Sequence, residues 1–139
     1  MTRILVIGAN GQLARNTTPF LLERPEVELT LYLRRSSRLA NPDPTRVRII
    51  EGDATDVRVL TDAMADVDVV YANLAGDMKR QARCIVQAMK ASGVRRLIFI
   101  SSMGIYDEVP GQRYDRILDP YRDSARVVEE SDLDYTVLR

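Results

Sequence analysis

The chain has 139 residues, with 20 Lys plus Arg against 20 Asp plus Glu, no His, no Trp and one Cys. That length suits one domain with a buried core, and a net charge of +0 disfavours a globally basic nucleic-acid binder. The missing His excludes Ser-His-Asp triads, His general bases and His metal ligands, and the lone Cys84 excludes intrachain disulfides, CxxC redox centres and Cys-based zinc sites, so demanding chemistry would come from a bound cofactor.

In chain order, Ile4-Leu5-Val6-Ile7 is a continuous β-rich run, as expected of a parallel strand buried on both faces, and it stops at Gly8. From Gly11 to about Glu23 the spacing turns helical, with Leu13, Thr17, Phe20 and Leu21 three and four residues apart. Pro19 predicts a kink or interruption there, and Pro25 marks the end of the segment. Residues 27–33 read as a second strand, 41–44 as a loop and 47–50 as a third strand. Thr55 is expected to cap a helix to about Met64, with Val57, Leu60, Ala63 and Met64 on one face. A fourth strand follows over 67–72. Then comes a helix carrying Met78, Ala82, Ile85, Val86 and Met89 on one face and closed by Gly93. Residues 96–100 form a fifth strand, 101–120 a loop, 121–130 a helix and 135–138 a sixth strand.

Alternating strands and helices with short links predict a single α/β domain over residues 1–139, a Rossmann-type doubly wound parallel sheet of six strands in the order 3-2-1-4-5-6. The N-terminus carries too short an apolar run for a signal peptide, and runs such as Leu97 to Ile100 fall far below membrane-spanning length. The expectation is a soluble, cytoplasmic protein without membrane or nucleic-acid partners.

The first strand feeds Gly8-Ala9-Asn10-Gly11-Gln12-Leu13-Ala14, spaced G-x-x-G-x-x-A. Gly8 permits the sharp turn, Gly11 lets the backbone approach a pyrophosphate, and Ala14 lets the helix settle closely on the sheet, with helix-start N–H groups aimed at anionic oxygens. An NAD site places Asp or Glu at the end of the second strand to bind ribose hydroxyls. Here the strand ends Leu33-Arg34-Arg35-Ser36-Ser37-Arg38, a cluster suited to a ribose 2′-phosphate, which favours NADP(H) over NAD(H). The alternative is a solvated basic loop.

These residues, with Glu51-Gly52-Asp53-Ala54, Ala72-Asn73-Leu74-Ala75-Gly76, Ile100-Ser101-Ser102-Met103-Gly104-Ile105-Tyr106 and Leu133-Asp134-Tyr135-Thr136-Val137-Leu138-Arg139, resemble the atypical short-chain dehydrogenase/reductase superfamily and, within it, the NmrA-like NAD(P)H-binding proteins. The resemblance covers essentially the whole chain. It implies that Gly8, Asn10, Gly11, Gln12 and Leu13 line the pyrophosphate and adjoining ribose. Arg34 and Arg35 would contact the 2′-phosphate, with Ser37 assisting, and Asp53 and Ala54 would border the adenine. Asn73, Leu74, Ala75 and Gly76 would pass under the ribose and nicotinamide, or form an ordinary turn. Asp53 is equally read as an acid ahead of a helix at Thr55. Ser101 and Ser102, at the end of the fifth strand, would meet cofactor and substrate or simply cap the strand; Tyr106 would close the nicotinamide side or serve packing.

Catalytic members of that superfamily use a Tyr-x-x-x-Lys pair, in which the Lys lowers the Tyr pKa. Here Tyr106, Tyr114 and Tyr121 are followed four residues later by Pro110, Leu118 and Ala125, Tyr121 falls near the family Lys position, and no Lys occurs after Lys90. Arg122 and Arg126 are not equivalent substitutes. Asp132 stands where relatives have Gly, in a left-handed position Asp tolerates, and Cys84 reads as a core or half-buried thiol. Relatives continue past the sixth strand into a substrate-covering region, so that C-terminal region is expected to be missing, either in a fragment or in a naturally minimal protein. Two functions stand side by side: an NADPH-dependent oxidoreductase without the usual Tyr-Lys pair, acting on an unassigned small molecule, or a non-catalytic NADP(H)-sensing regulatory protein acting through a protein partner.

Overall fold

The computed structural model describes residues 1–139, the side chain of Arg38 excepted. Strands β1 (Thr2–Ile7), β2 (Val27–Leu33), β3 (Val47–Glu51), β4 (Val69–Ala72), β5 (Arg96–Ile100) and β6 (Asp134–Leu138) form one sheet, every neighbouring pair parallel, in the order β3-β2-β1-β4-β5-β6. This is the expected doubly wound order. The chain reverses its direction of travel across the sheet between β1 and β4, and the crevice beyond their carboxyl ends is the ligand position of such sheets.

Alternation along the strands separates two cores. Leu5, Ile7, Val70, Leu97 and Phe99 face α2 (Val57–Ala63), α3 (Met78–Ser92) and α4 (Asp119–Glu129). Ile4, Val6, Leu29, Leu31 and Tyr71 face α1 (Gln12–Leu22). The second core is the smaller, and on that side Val69, Ile98 and Ile100 are only partly buried. Cys84 is half-buried against the first core.

Several local expectations are corrected. The buried residues of α1 are Ala14 and Thr18, while Leu13 is 54% and Phe20 68% exposed. Ala14 and Thr18 fill the closest contact with the sheet, Leu21 and Leu22 pack partly buried beside it, and Leu13 and Phe20 point outward. Pro19 neither ends nor interrupts α1. The carbonyl of Arg15, which loses its usual i+4 donor, lies on the exposed side of the helix where water can reach it. The cap of α2 is Asp56, whose carboxylate accepts from the Val59 N–H at 3.2 Å; Thr55 is committed to Asp53 instead. β4 starts later than the apolar run suggests, because Asp66 adopts a left-handed φ of 62° and the Val67 N–H still donates to Met64. α4 starts earlier, at Asp119, with Pro120 tolerated in its first turn. Asp132 is left-handed as expected (φ 63°), and so is Gly93 at the end of α3 (φ 85°). Among the described residues no helix is long and apolar enough to cross a membrane.

Candidate cofactor-binding site

β1 delivers the chain to Gly8, where φ is +76°. The Gly8 and Ala9 N–H groups both donate to the Tyr32 carbonyl, at 3.0 and 3.2 Å, and the Gly11 N–H closes the turn on Gly8 at 2.9 Å. A Cβ at Gly8 would overlap the Asn73 carbonyl, and one at Gly11 would press into the Asn73 amide. The two glycines are therefore required by the end of β4 as well as by any ligand. Gly11 is also the N-cap of α1, with no side-chain cap and no acidic residue in the first turn. The first-turn N–H groups thus lack intrahelical partners, and the positive end of the helix dipole is open. Beside them, Asn10 Oδ1 is buried and has no hydrogen-bond partner among the described residues.

This turn borders a cleft of about 670 Å³. Arg34 and Arg35 line it beyond β2, Asp53 and Ala54 beyond β3, and Asn73, Leu74 and Ala75 beyond β4, together with Gly8, Asn10 and Gly11. Ten expected positions are thus gathered from four separate strand ends. Arg34 and Arg35 are exposed and have no carboxylate within 4.0 Å among the described residues. The expected contribution of Arg38 concerns a side chain outside the described residues. Gln12, Leu13, Ser37 and Gly76 do not line the cleft with their side of the chain, although Gln12 and Leu13 carry two of the open N–H groups.

Tyr32, fully buried, forms one wall with Gly52 lying against its phenol so tightly that a Cβ at Gly52 would overlap the hydroxyl. The hydroxyl donates to the Asp53 carbonyl at 2.8 Å, and burial, reinforced by Asp56 and Asp53, pushes its pKa up to about 12. The phenol stays neutral and holds the Asp53 backbone in place. Asp53 itself accepts from the Thr55 N–H at 2.8 Å and the Thr55 hydroxyl at 2.7 Å, both on Oδ1. Those bonds, aided by the Arg34 and Arg80 charges, hold its pKa below the usual carboxylate range. Both roles weighed for Asp53 meet here: it lines the cleft and braces the turn ahead of α2.

Sequence reasoning missed Ile7, Tyr32, Leu33, Gly52 and Gln81 as cleft residues. Tyr32 and Gly52 had a signal, an aromatic at the end of a strand facing a glycine at the end of the next. Gln81 had none, since a polar residue on the first turns of a helix reads as solvated. Also unforeseen is Glu51, paired in register with Leu33 and 3.4 Å from the Ser36 hydroxyl, a carboxylate that reaches the end of β2 through space without lining the cleft.

The residues after β5 are not in this cleft. The Ser101 N–H donates to Leu138 at 2.7 Å and its hydroxyl to the Tyr121 carbonyl at 3.4 Å, while the Ser102 hydroxyl turns to the Met103 carbonyl at 3.3 Å. The Tyr106 hydroxyl donates to Glu129, and the Arg139 guanidinium lies 4.8 Å over its ring. Burial first, then the Glu129 carboxylate, push Tyr106 up to about 12. That is opposite to the lowered phenol that a neighbouring ammonium would produce.

Residues 8–139 match the NAD(P)H-binding family. The chain is 39% identical to a Rossmann-fold NAD(P)-binding family protein from Shigella flexneri, with a TM-score of 0.84 over 100% of this chain and 66% of that one. It is 29% identical to a short-chain dehydrogenase/reductase from Veillonella parvula in complex with NADP, again with a TM-score of 0.84, over 99% of this chain and 68% of that one. It also shares 33% identity over 113 residues with sterol demethylase protein B of Methylococcus capsulatus, which covers 72% of this chain but only 34% of that protein, so the chain spans about a third of that relative. A family match that begins on the first glycine of the turn and runs through β6, on a sheet of this topology, settles the assignment: the chain belongs to the NAD(P)H-binding family of Rossmann-fold proteins related to the short-chain dehydrogenases/reductases.

Proposed function

We propose that this cleft binds NADP(H) in preference to NAD(H), and that the chain is an atypical, NmrA-like member of the superfamily with the reductase type of activity. The observation that carries the preference is the pair Arg34 and Arg35, exposed on the cleft wall beyond β2 and free of ion pairs among the described residues. Two guanidinium groups there can take a 2′-phosphate through charge-assisted bonds, and β2 itself ends in no acid, the nearby Glu51 carboxylate lying outside the cleft lining. The NADP complex of the Veillonella relative supports the same reading.

The residues fit the remaining parts of such a cofactor. The open N–H groups at the start of α1 suit a pyrophosphate, and Asn10, which lines the cleft, keeps an uncommitted Oδ1 that can accept from a ribose hydroxyl. Tyr32 and Asp53 fix the adenine side by holding each other and Thr55. Asn73 supports the turn from below through the Ile7 carbonyl, to which its N–H donates at 3.0 Å. When bound, the nicotinamide supplies the hydride-transfer chemistry.

Titration calorimetry with NADPH and NADH tests the proposal. Replacing both residues, Arg34→Ala with Arg35→Ala, should weaken NADPH by roughly 10–100-fold, the worth of one or more charge-assisted bonds, and leave NADH within about threefold. Failure of both dinucleotides to bind below about millimolar overturns the reading.

A second reading, a cofactor-binding regulatory protein without turnover, draws on one observation. Tyr106, the only tyrosine in the post-β5 motif, is tied to Glu129 and made less acidic, and no Tyr-x-x-x-Lys pair is written in the chain. Steady NADPH oxidation with a panel of quinones, aldehydes and ketones would exclude it.

A further inference from the structure

The residue that sequence reasoning assigns to the adenine, Asp53, has one carboxylate oxygen and its carbonyl committed. Its Oδ1 accepts both the N–H and the hydroxyl of Thr55, and its carbonyl accepts from Tyr32. The same cleft is lined by a second acceptor that no motif suggests. Gln81 lies on the first turns of α3, half-buried, and its Nε2 donates to the Ala75 carbonyl at 2.8 Å. A carbonyl only accepts, so this bond fixes which end of the amide is nitrogen. The Oε1 is then an acceptor-only atom that receives no hydrogen bond from the described residues, on a side chain whose orientation is already held. Gln81 shares the cleft with Ala54 and Ala75, the residues beyond β3 and β4, on the side away from the α1 face of the sheet.

We propose that Gln81 Oε1 reads the exocyclic amine of the adenine, making Gln81 the residue that selects adenine over a 6-oxo purine. The inference rests on the cofactor reading above and adds the base-reading residue to it. An amine donates to a fixed carbonyl oxygen, whereas the 6-oxo group of hypoxanthine presents a second acceptor to it, with neither side able to donate. A site built to bond a donor disfavours the analogue lacking it, because two acceptors are then set against each other and neither bond is made. Asp53, in this arrangement, is a positioning residue that shapes the wall through Thr55 and Tyr32.

The test compares NADPH with its hypoxanthine counterpart, in which the 6-amino group is replaced by oxygen. Wild-type protein is expected to hold NADPH about tenfold more tightly than the hypoxanthine form, as a single well-placed hydrogen bond allows. In Gln81→Met, which keeps the length and helix preference of the side chain, the ratio should fall to about one. In Gln81→Glu, which keeps an acceptor, the ratio should stay well above one even if the tether to Ala75 is lost. A merely structural role would weaken both ligands together and leave the ratio unmoved. An unchanged ratio in Gln81→Met, with NADPH still binding, overturns the role of Gln81 alone and returns the amine to Asp53. Failure of the wild-type protein to bind NADPH overturns the cofactor reading and this inference together.

Discussion

Individual side chains here matter by what they keep out as much as by what they touch. Gly8 is the clearest case. Its φ of +76° already strains any residue with a Cβ, and the Asn73 carbonyl occupies the space that the Cβ would need. Gly111 has almost the same φ, +75°, but nothing lies within 4 Å of its missing Cβ. The pair separates backbone strain from steric exclusion. Gly111→Ala should cost only the left-handed penalty of about 1 kcal/mol. Gly8→Ala should cost about 2–4 kcal/mol, because β4 must move as well. Urea unfolding of the two variants measures both, and equal losses would mean that Asn73 yields freely. The Gly8 variant should also lose cofactor affinity, since the shifted backbone carries the open N–H groups at the start of α1.

Elements were legible where burial alone decides the pattern. β1 and β5 carry continuous apolar runs, Ile4 to Ile7 and Leu97 to Ile100, as strands inside a parallel sheet do, and β2 alternates Val27, Leu29 and Leu31 with Glu28 and Thr30 before closing on Tyr32 and Leu33. Periodicity was a poorer guide to which face of α1 is buried. Leu13, Thr17 and Phe20 do share a helical face, but the face set against the sheet is that of Ala14 and Thr18, with Leu21 and Leu22 partly buried at its end. The choice is set by how the helix docks on the sheet, which spacing along one helix does not encode. The same limit explains the site. Gly8, Asn10, Gly11 and Arg34 belong to short motifs whose roles are local, so they could be placed from sequence. Gln81 and Glu51 reach the region only because α3 starts beside β4 and because β3 pairs with β2 in a register that sets Glu51 against Leu33. Thr55 was the expected cap of α2, but Asp53 holds its hydroxyl and Asp56 caps the helix one residue later.

At the scale of the whole molecule, the cofactor cleft sits over the best-buried part of the sheet. β1 pairs along its full length with β2 and through Ile4 to Ile7 with β4, and Leu5, Val6 and Ile7 are each no more than 1% exposed. β6 is the opposite case: it pairs only with β5, Tyr135 is 39% and Leu138 47% exposed, and the neighbouring face of β5 is only partly covered. Amides open either by local fraying or by global unfolding, and the fewer the buried apolar contacts around a strand, the cheaper its local route. Native-state hydrogen exchange should therefore find the amides of Leu5 to Ile7 exchanging only through global unfolding, with a free energy in the usual range of about 5–15 kcal/mol. The β6 amides should open at a free energy several kcal/mol lower, and with less dependence on urea, because little surface is exposed when one edge strand frays. The glycine turn leads directly from β1, whereas Ser101 is bonded to Leu138 on the edge strand, so the turn should be the better protected of the two. Equal protection of β1 and β6 would show that the sheet opens as one unit and that the glycine turn has no mechanical advantage over the post-β5 loop.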